Sequence, residues 1–395
     1  MAETAFHHRD RCAIAGIGAT DFSADSGRSV LTLVTQAGMA ALADAGLGVD
    51  DVDGVVRCEL DQVPHNSFAA SMGIRNLRYW GETGHGGMAP PAMVGQAIGA
   101  ILSGQATTVL VYRGLNGRSE DRFGKGHKVS ATAGGRGGYQ ELYMPYGLIA
   151  PGQVFALIAQ RHMIEHGTTA EQLGAIALAF RAHAQRNPAA QTHGRPLDMA
   201  GYLASRMIAS PLRLFDYCLE TDGACALVVT STERARDLRR PLVTVRAVAQ
   251  AAPPDTRPGM LFPTLNRADI LDLSSRYVAR TLWGRAGLGP EEIDVAQIYD
   301  CFTISALLQL EAYGFCGPGE GGPFAASGAL GLDGRLPTNT AGGNLSEGYI
   351  HGMNHIVEGV RQMRGDAVSQ VPGAETCLVT GGPLPSSSAL VLRRA

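Results

Sequence analysis

Between residues 340 and 352 the chain reads Thr-Ala-Gly-Gly-Asn-Leu-Ser-Glu-Gly-Tyr-Ile-His-Gly, a glycine-rich loop that presents Tyr349 just ahead of an apolar helical run. Glycines let a backbone turn sharply and approach a ligand closely, so such a loop can aim a phenol into a pocket. A tyrosine acts as a base only if its pKa falls from about 10 towards neutrality. Hydrogen bonds to the phenolate or a nearby positive charge would bring that about. A second tyrosine, Tyr299, opens the run Tyr-Asp-Cys-Phe-Thr, next to Asp300. Tyrosines in loops and at strand ends also serve as packing, so neither residue declares chemistry by itself. His351 and His355 have the four-residue spacing of a metal pair on a helix, but the HExxH glutamate and an obvious third ligand are missing, and no metal is expected. Gly16-Ile17-Gly18 begins a dinucleotide-type pattern whose third glycine is replaced by Asp21, so no nicotinamide cofactor is expected either.

Sulfur offers little. The seven cysteines are scattered, odd in number and without CxxC spacing, which argues against a zinc site or a disulfide framework and for buried small apolar residues. A chain of 395 residues with 33 basic and 36 acidic side chains, formally −3, is a poor partner for nucleic acid or an acidic membrane surface. No apolar run approaches the ~20 residues of a membrane span, and the polar N-terminus lacks a signal-peptide core. A cytoplasmic α/β enzyme is the expectation.

The elements that must hold these residues are legible from an internal repeat. Ala45-Gly46-Leu47-Gly48-Val49-Asp50-Asp51-Val52-Asp53 returns as Ala286-Gly287-Leu288-Gly289-Pro290-Glu291-Glu292-Ile293-Asp294, an offset of 286 − 45 = 241. Each copy follows an amphipathic helix (30–45 and 270–286) that stops at glycine. Each is followed by a short strand (54–56 and 296–299). A strand precedes each helix (12–18 and 242–248), and later in each half a helix leads into an apolar strand: 92–102 into 109–114, and 354–363 into 377–382. Alternating strands and helices imply parallel sheets covered on both faces. Between the halves lies an insertion, about 115–213, with a glycine-rich charged start (118–140) and two helices (153–166 and 170–185), a lid or substrate-binding piece set over the sheet edge. The N-terminal half is 1–240 and the C-terminal half 241–395.

This layout resembles the thiolase superfamily over nearly the full chain. Asn187-Pro188-Ala189, Pro211 to Cys218, Thr221 to Val229, Tyr299 to Thr303, the tyrosine loop and Val379-Thr380-Gly381-Gly382-Pro383 carry the resemblance together. It implies the thiolase fold: duplicated βαβαβαββ halves forming a five-layered α-β-α-β-α core. Three thiolase positions are altered. Gly84-His85-Gly86-Gly87-Met88-Ala89 matches the segment of the nucleophilic cysteine but has none. Val379 stands where the second cysteine would be, with Cys377 two residues earlier on the same strand face. The family's catalytic histidine falls on Tyr349.

What remains is similar to the steroid side-chain-cleaving, lipid-transfer-protein-type aldolases. Their resemblance implies a lyase performing retro-aldol cleavage of a β-hydroxyacyl-CoA, such as a steroid side-chain thioester giving a 17-ketosteroid and propionyl-CoA. No cofactor is implied beyond the CoA of the substrate. The family resemblance also implies a small DUF35-type OB-fold partner protein and a homodimer within a heterotetramer. On this reading Tyr349 is the base, and Tyr299 a second base, a tuning partner or the proton donor. Gly381 and Gly382 offer backbone N–H groups as an oxyanion hole, and His85, Asp300 and His351 are candidate substrate contacts. The alternatives are an acyltransferase using Cys377 or Cys301, and a non-catalytic lipid carrier or scaffold.

Overall fold

The computed structural model describes residues 8–120, 122, 143–254 and 262–395; most of the charged stretch 118–140 therefore lies outside the described residues. The strands, in chain order, are β1 (Cys12–Ala19), β2 (Gly54–Cys58), β3 (Tyr79–Thr83) and β4 (Thr108–Asn116), a small hairpin β5 (Met207–Ala209) and β6 (Leu212–Arg213), then β7 (Asp222–Ser231), β8 (Val243–Ala251), β9 (Val295–Gln297), β10 (Thr376–Thr380) and β11 (Ser387–Arg394). Nine of them form one sheet in the order β3-β2-β4-β7-β1-β8-β11-β10-β9.

The repeat survives in three dimensions. Read outward from the centre, the first half runs β1-β7-β4-β2 and the second β8-β11-β10-β9, so equivalent strands hold equivalent places. The halves join where Ala13 pairs antiparallel with Thr244. In place of a counterpart to β3, the second half has a single parallel bridge between Ala296 and Thr338. The helices Val30–Ala45 and Ser274–Ala286 end at left-handed glycines, Gly46 (φ 74°) and Gly287 (φ 65°), as a C′ position prefers. In the turns that follow, the Gly48 N–H donates to Asp51 Oδ2 (2.9 Å) and the Gly289 N–H to Glu292 Oε2 (2.7 Å). Duplication is thus preserved to single hydrogen bonds.

The sheet is mixed, which corrects the expectation of parallel sheets. Strands joined by helical crossovers stay parallel, as β2 does to β3 and β4, and β9 to β10. The closing strand of each half lacks such a crossover: β7 inserts antiparallel between β1 and β4, and β11 between β8 and β10.

Three buried clusters define the layers. Residues of β1, β2, β4 and β7 face the Val30–Ala45 and His65–Met72 helices on one outer side. The opposite faces of both half-sheets enclose the Ala89–Leu102 and Met353–Arg364 helices in the centre. The second half's other face carries Ser274–Ala286, Thr303–Ala312 and the helices of the inserted piece, Pro151–His166 and Ala170–Arg186. This is the α-β-α-β-α order. Close contact between β1 and its helix explains Gly16 and Gly18 without any nucleotide: a Cβ there would lie 2.2 and 2.1 Å from the carbonyl oxygens of Ala41 and Ala37. Among the described residues no helix is long and apolar enough to cross a membrane.

The inserted helices hold the tyrosine loop from behind. Arg181 Nε donates to Ser346 Oγ (3.0 Å), Asn187 Nδ2 to the Ala341 carbonyl (3.1 Å), and the Thr192 hydroxyl to the Ser346 carbonyl (2.8 Å). Chain from the first half of the sequence thereby fixes a loop of the second.

Candidate active site

The two tyrosines meet. Tyr349 Oη and Tyr299 Oη are 2.8 Å apart, with the rings edge to face at 61°. Each is set by its backbone: the Tyr349 N–H donates to Thr221 Oγ1 (2.8 Å) and the Tyr299 N–H to Thr380 Oγ1 (2.9 Å), while Gln309 Nε2 donates to the Tyr299 carbonyl (2.7 Å). The Tyr299 ring lies between two glycines. A Cβ on Gly87 would fall 2.0 Å from its hydroxyl, and one on Gly352 (φ 83°) 2.9 Å from its ring. Gly87 belongs to the turn that matches the lost nucleophile, so the phenol occupies space that a side chain from that turn would fill.

Both phenols are buried, 3% and 9% exposed. Burial pushes each well above the usual tyrosine range. For Tyr349 the Cys218 and Cys301 thiols add to the rise, whereas the hydrogen bond with Tyr299 and the Arg113 guanidinium oppose it. For Tyr299 the neighbouring Tyr349 is the next largest raising influence. The lowering that a free-standing tyrosine base requires is not what this site provides, because desolvation outweighs the favourable charge. Tyr349 is the member of the pair on which positive charge acts.

Other sequence candidates take different places. Asp300 is fully buried, and its oxygens accept from the N–H groups of Asn344 (2.8 Å) and Leu345 (3.1 Å). It is a cap that anchors the tyrosine loop. Gly381 and Gly382 have their backbone donors engaged within the fold. Their N–H groups donate to the carbonyls of Ser388 and Gly87, each at 2.7 Å, so they fasten the Gly86–Met88 turn rather than offer an oxyanion hole. His85 opens that turn, 3.6 Å from Glu59, and burial lowers its pKa against the pull of Glu59. His351 is buried, with its ring edge-on to Tyr349 at 5.0 Å. His355 Nε2 lies 3.2 Å from Asp300 Oδ1, though not aligned as a hydrogen bond.

The cysteines are poor nucleophiles. Burial pushes Cys301 up to about 12 and raises Cys377 further. Cys377 and Val379 share a strand face as expected, but that face packs under Gly359 of the central helix, 3.2 Å from where its Cβ would be. Arg113 and Asp61 were not singled out from sequence. The signal was present: one arginine inside Thr-Val-Leu-Val-Tyr-Arg-Gly-Leu-Asn is a charge in an apolar strand, and such a charge is buried only with a partner.

Comparison with known proteins bears on the family and the fold. The thiolase C-terminal domain-like family matches residues 264–394. The chain is 44% identical over 385 residues to a 17-hydroxy-3-oxo-4-pregnene-20-carboxyl-CoA lyase of Mycobacterium tuberculosis, covering 97% of this chain and 99% of that one. It is 42% identical to a steroid side-chain-cleaving aldolase of Thermomonospora curvata, covering 96% and 97%. The solved Ltp2-ChsH2(DUF35) aldolase superposes with a TM-score of 0.91 at 41% identity, covering 98% of both chains. Human mitochondrial 3-ketoacyl-CoA thiolase, at 13% identity and a TM-score of 0.69 over 98% of this chain and 100% of that one, shares the fold. Similarity of that extent, on this architecture, shows that the chain belongs to the thiolase-fold family of steroid side-chain-cleaving aldolases, which are carbon–carbon lyases.

Proposed function

We propose that this aldolase cleaves a β-hydroxyacyl-CoA with a bulky apolar, steroid-like acyl part, and that the tyrosine pair moves the proton. The observation that carries the reading is the 2.8 Å contact between two buried phenols beside a turn with no nucleophile. Because burial keeps both phenols protonated, the pair works as a relay rather than as a resting phenolate. The substrate β-hydroxyl gives its proton to Tyr349 Oη as the Cα–Cβ bond breaks. Tyr349 passes its own proton to Tyr299, and Tyr299 protonates the α-carbon of the thioester enolate. The hydroxyl-bearing carbon leaves as a ketone and the α-carbon as a shortened acyl-CoA. Atoms and charge balance with no covalent intermediate, and the relay itself needs no cofactor beyond the CoA of the substrate.

The active assembly on this reading includes a DUF35-type partner, as the name of the Ltp2-ChsH2(DUF35) structure has it for that protein, around a homodimer of this chain. The test is an assay of the purified complex for ketone and short acyl-CoA release. Tyr349→Phe and Tyr299→Phe should each lower kcat by ~10²–10⁴. The double variant should be little worse than the poorer single one, since the two act as a unit. Full activity in Tyr349→Phe would remove the proposed relay.

A further inference from the structure

An enolate on a thioester needs a hydrogen-bond donor where its charge develops, and the N–H groups of Gly381 and Gly382 are spent. Behind the tyrosine pair lies a buried chain of charge. Arg113, 1% exposed inside β4, pairs through Nη1 with Asp61. Asp61 is itself held by the Cys58 N–H (2.8 Å) and the Gly114 N–H (3.3 Å). The other two guanidinium nitrogens, Nε (3.2 Å) and Nη2 (2.7 Å), both converge on Nδ1 of His351. A guanidinium has no acceptor and does not deprotonate in proteins, so His351 Nδ1 must be the acceptor. A second proton on the ring would face the guanidinium. The neutral ring then carries its hydrogen on Nε2.

We infer that Asp61 and Arg113 are positioning residues that lock His351 as the Nε2–H tautomer, and that this N–H is the donor to the thioester enolate oxygen. The place fits. A Cβ on Gly86 would lie 3.8 Å from His351 Nε2, so the Nε2 edge borders the same glycine turn whose next residue, Gly87, touches the Tyr299 hydroxyl. The backbone is held at some cost to deliver this ring: His351 has φ 52°, left-handed for a residue with a side chain, the kind of local strain that persists where surrounding structure over-determines it. The Tyr299 hydroxyl and His351 Nε2 thus border successive glycines of one turn. The catalytic step of this inference rests on the aldolase reading; the tautomer does not.

Two measurements separate them. In ¹⁵N-histidine spectra of the complex at about pH 7, where histidine tautomers are normally mixed with the protonated form, the His351 resonances, assigned by their loss in His351→Asn, should show the hydrogen on Nε2 alone. Arg113→Gln, whose amide can turn either its oxygen or its nitrogen towards Nδ1, should let the second tautomer appear. This readout needs no substrate, so it holds or fails whatever the turnover. In the assay, His351→Asn, which suits the left-handed backbone, should lower kcat about 100-fold with KM changed less than about 3-fold. His351→Gln, whose amide nitrogen can reach the Nε2 position, should run at least about 10-fold faster than the Asn variant. A hydrogen on Nδ1, or an Asn variant with the wild-type kcat, would overturn the inference.

Discussion

The central layer holds two equivalent helices, Ala89–Leu102 from the first half and Met353–Arg364 from the second, and the turns that lead into them have opposite contents. The first turn, Gly86–Met88, presents glycine backbone. The second presents Tyr349 and His351. The strands before them differ likewise: the repeat offset of 241 sets Tyr299 (299 − 241 = 58) against Cys58, a buried thiol that packs at the end of β2. A side chain at Gly87 of the first turn would leave no room for the Tyr299 phenol. The proposed relay depends on the halves having diverged so that the Gly86–Met88 turn leaves the space that Tyr299 fills.

Filling that void should break the comparison most severely. In Gly87→Ala the added Cβ would sit 2.0 Å from Tyr299 Oη. The ring cannot retreat far, because Gly352 backs it and its carbonyl and N–H are both bonded. Rotation of the phenol is the cheapest relief, and it breaks the 2.8 Å contact with Tyr349. The kcat should fall by at least ~10²-fold while stability drops only ~1–3 kcal/mol, as overpacking usually costs. Unchanged turnover with a folded protein would show that the phenol contact is not needed.

The same asymmetry explains what the sequence shows and what it hides. The halves are legible because their boundaries rest on local rules: the Val30–Ala45 helix begins at an N-cap serine, Ser29, and ends at a glycine that only a left-handed cap explains. Tyr349 is legible because glycines bracket it. Gly381 and Gly382 mislead because glycine signals close approach without saying to what; here it is to the carbonyl of Gly87 and the strand opposite, not to a ligand. The cap made by Asp300 is hidden, because an aspartate beside a candidate tyrosine gives no sign that its oxygens hold a helical turn 44 residues on. The Arg181 clamp on Ser346 spans 165 residues, a contact that no local pattern encodes.

The second turn should also be the less stable one, and titration sharpens that contrast. Glu347, two residues before the phenol, is buried, and burial, followed by Glu358, pushes it from its ordinary value of 4.5 up to about 7. Among the described residues, Asn354 Nδ2 donates to its carboxyl, at 3.2 Å. A carboxyl whose folded pKa is raised binds its proton more tightly when folded. Its contribution to stability is therefore whole below about 4.5 and is lost as pH climbs through about 7. Glu347→Gln should be more stable than wild type by about 1–3 kcal/mol at about pH 8 and gain nothing at about pH 4. Urea midpoints at the two pH values measure it, and an equal gain at both would mean that proton linkage is not the cause.

The smallest effect is expected where older thiolase chemistry would predict the largest. If a thiol had moved to compensate for the missing nucleophile, Cys301 or Cys377 would carry turnover. Cys301 neighbours Tyr299 in sequence, but its sulfur lies 3.5 Å from Ser305 Oγ and its pKa is pushed up to about 12. Cys377 lies on β10 with its sulfur against the central helix at Gly359. Attack requires thiolate, and neither site favours one. Cys301→Ser and Cys377→Ala should keep kcat within about 3-fold of wild type, at a stability cost near 1 kcal/mol for the lost packing. Collapse of kcat in the Cys301 variant, with the fold intact by thermal melting, would place sulfur back in the mechanism. It would also mean that the second half had taken over the role the first half gave up, leaving the phenols as its neighbours rather than its replacement.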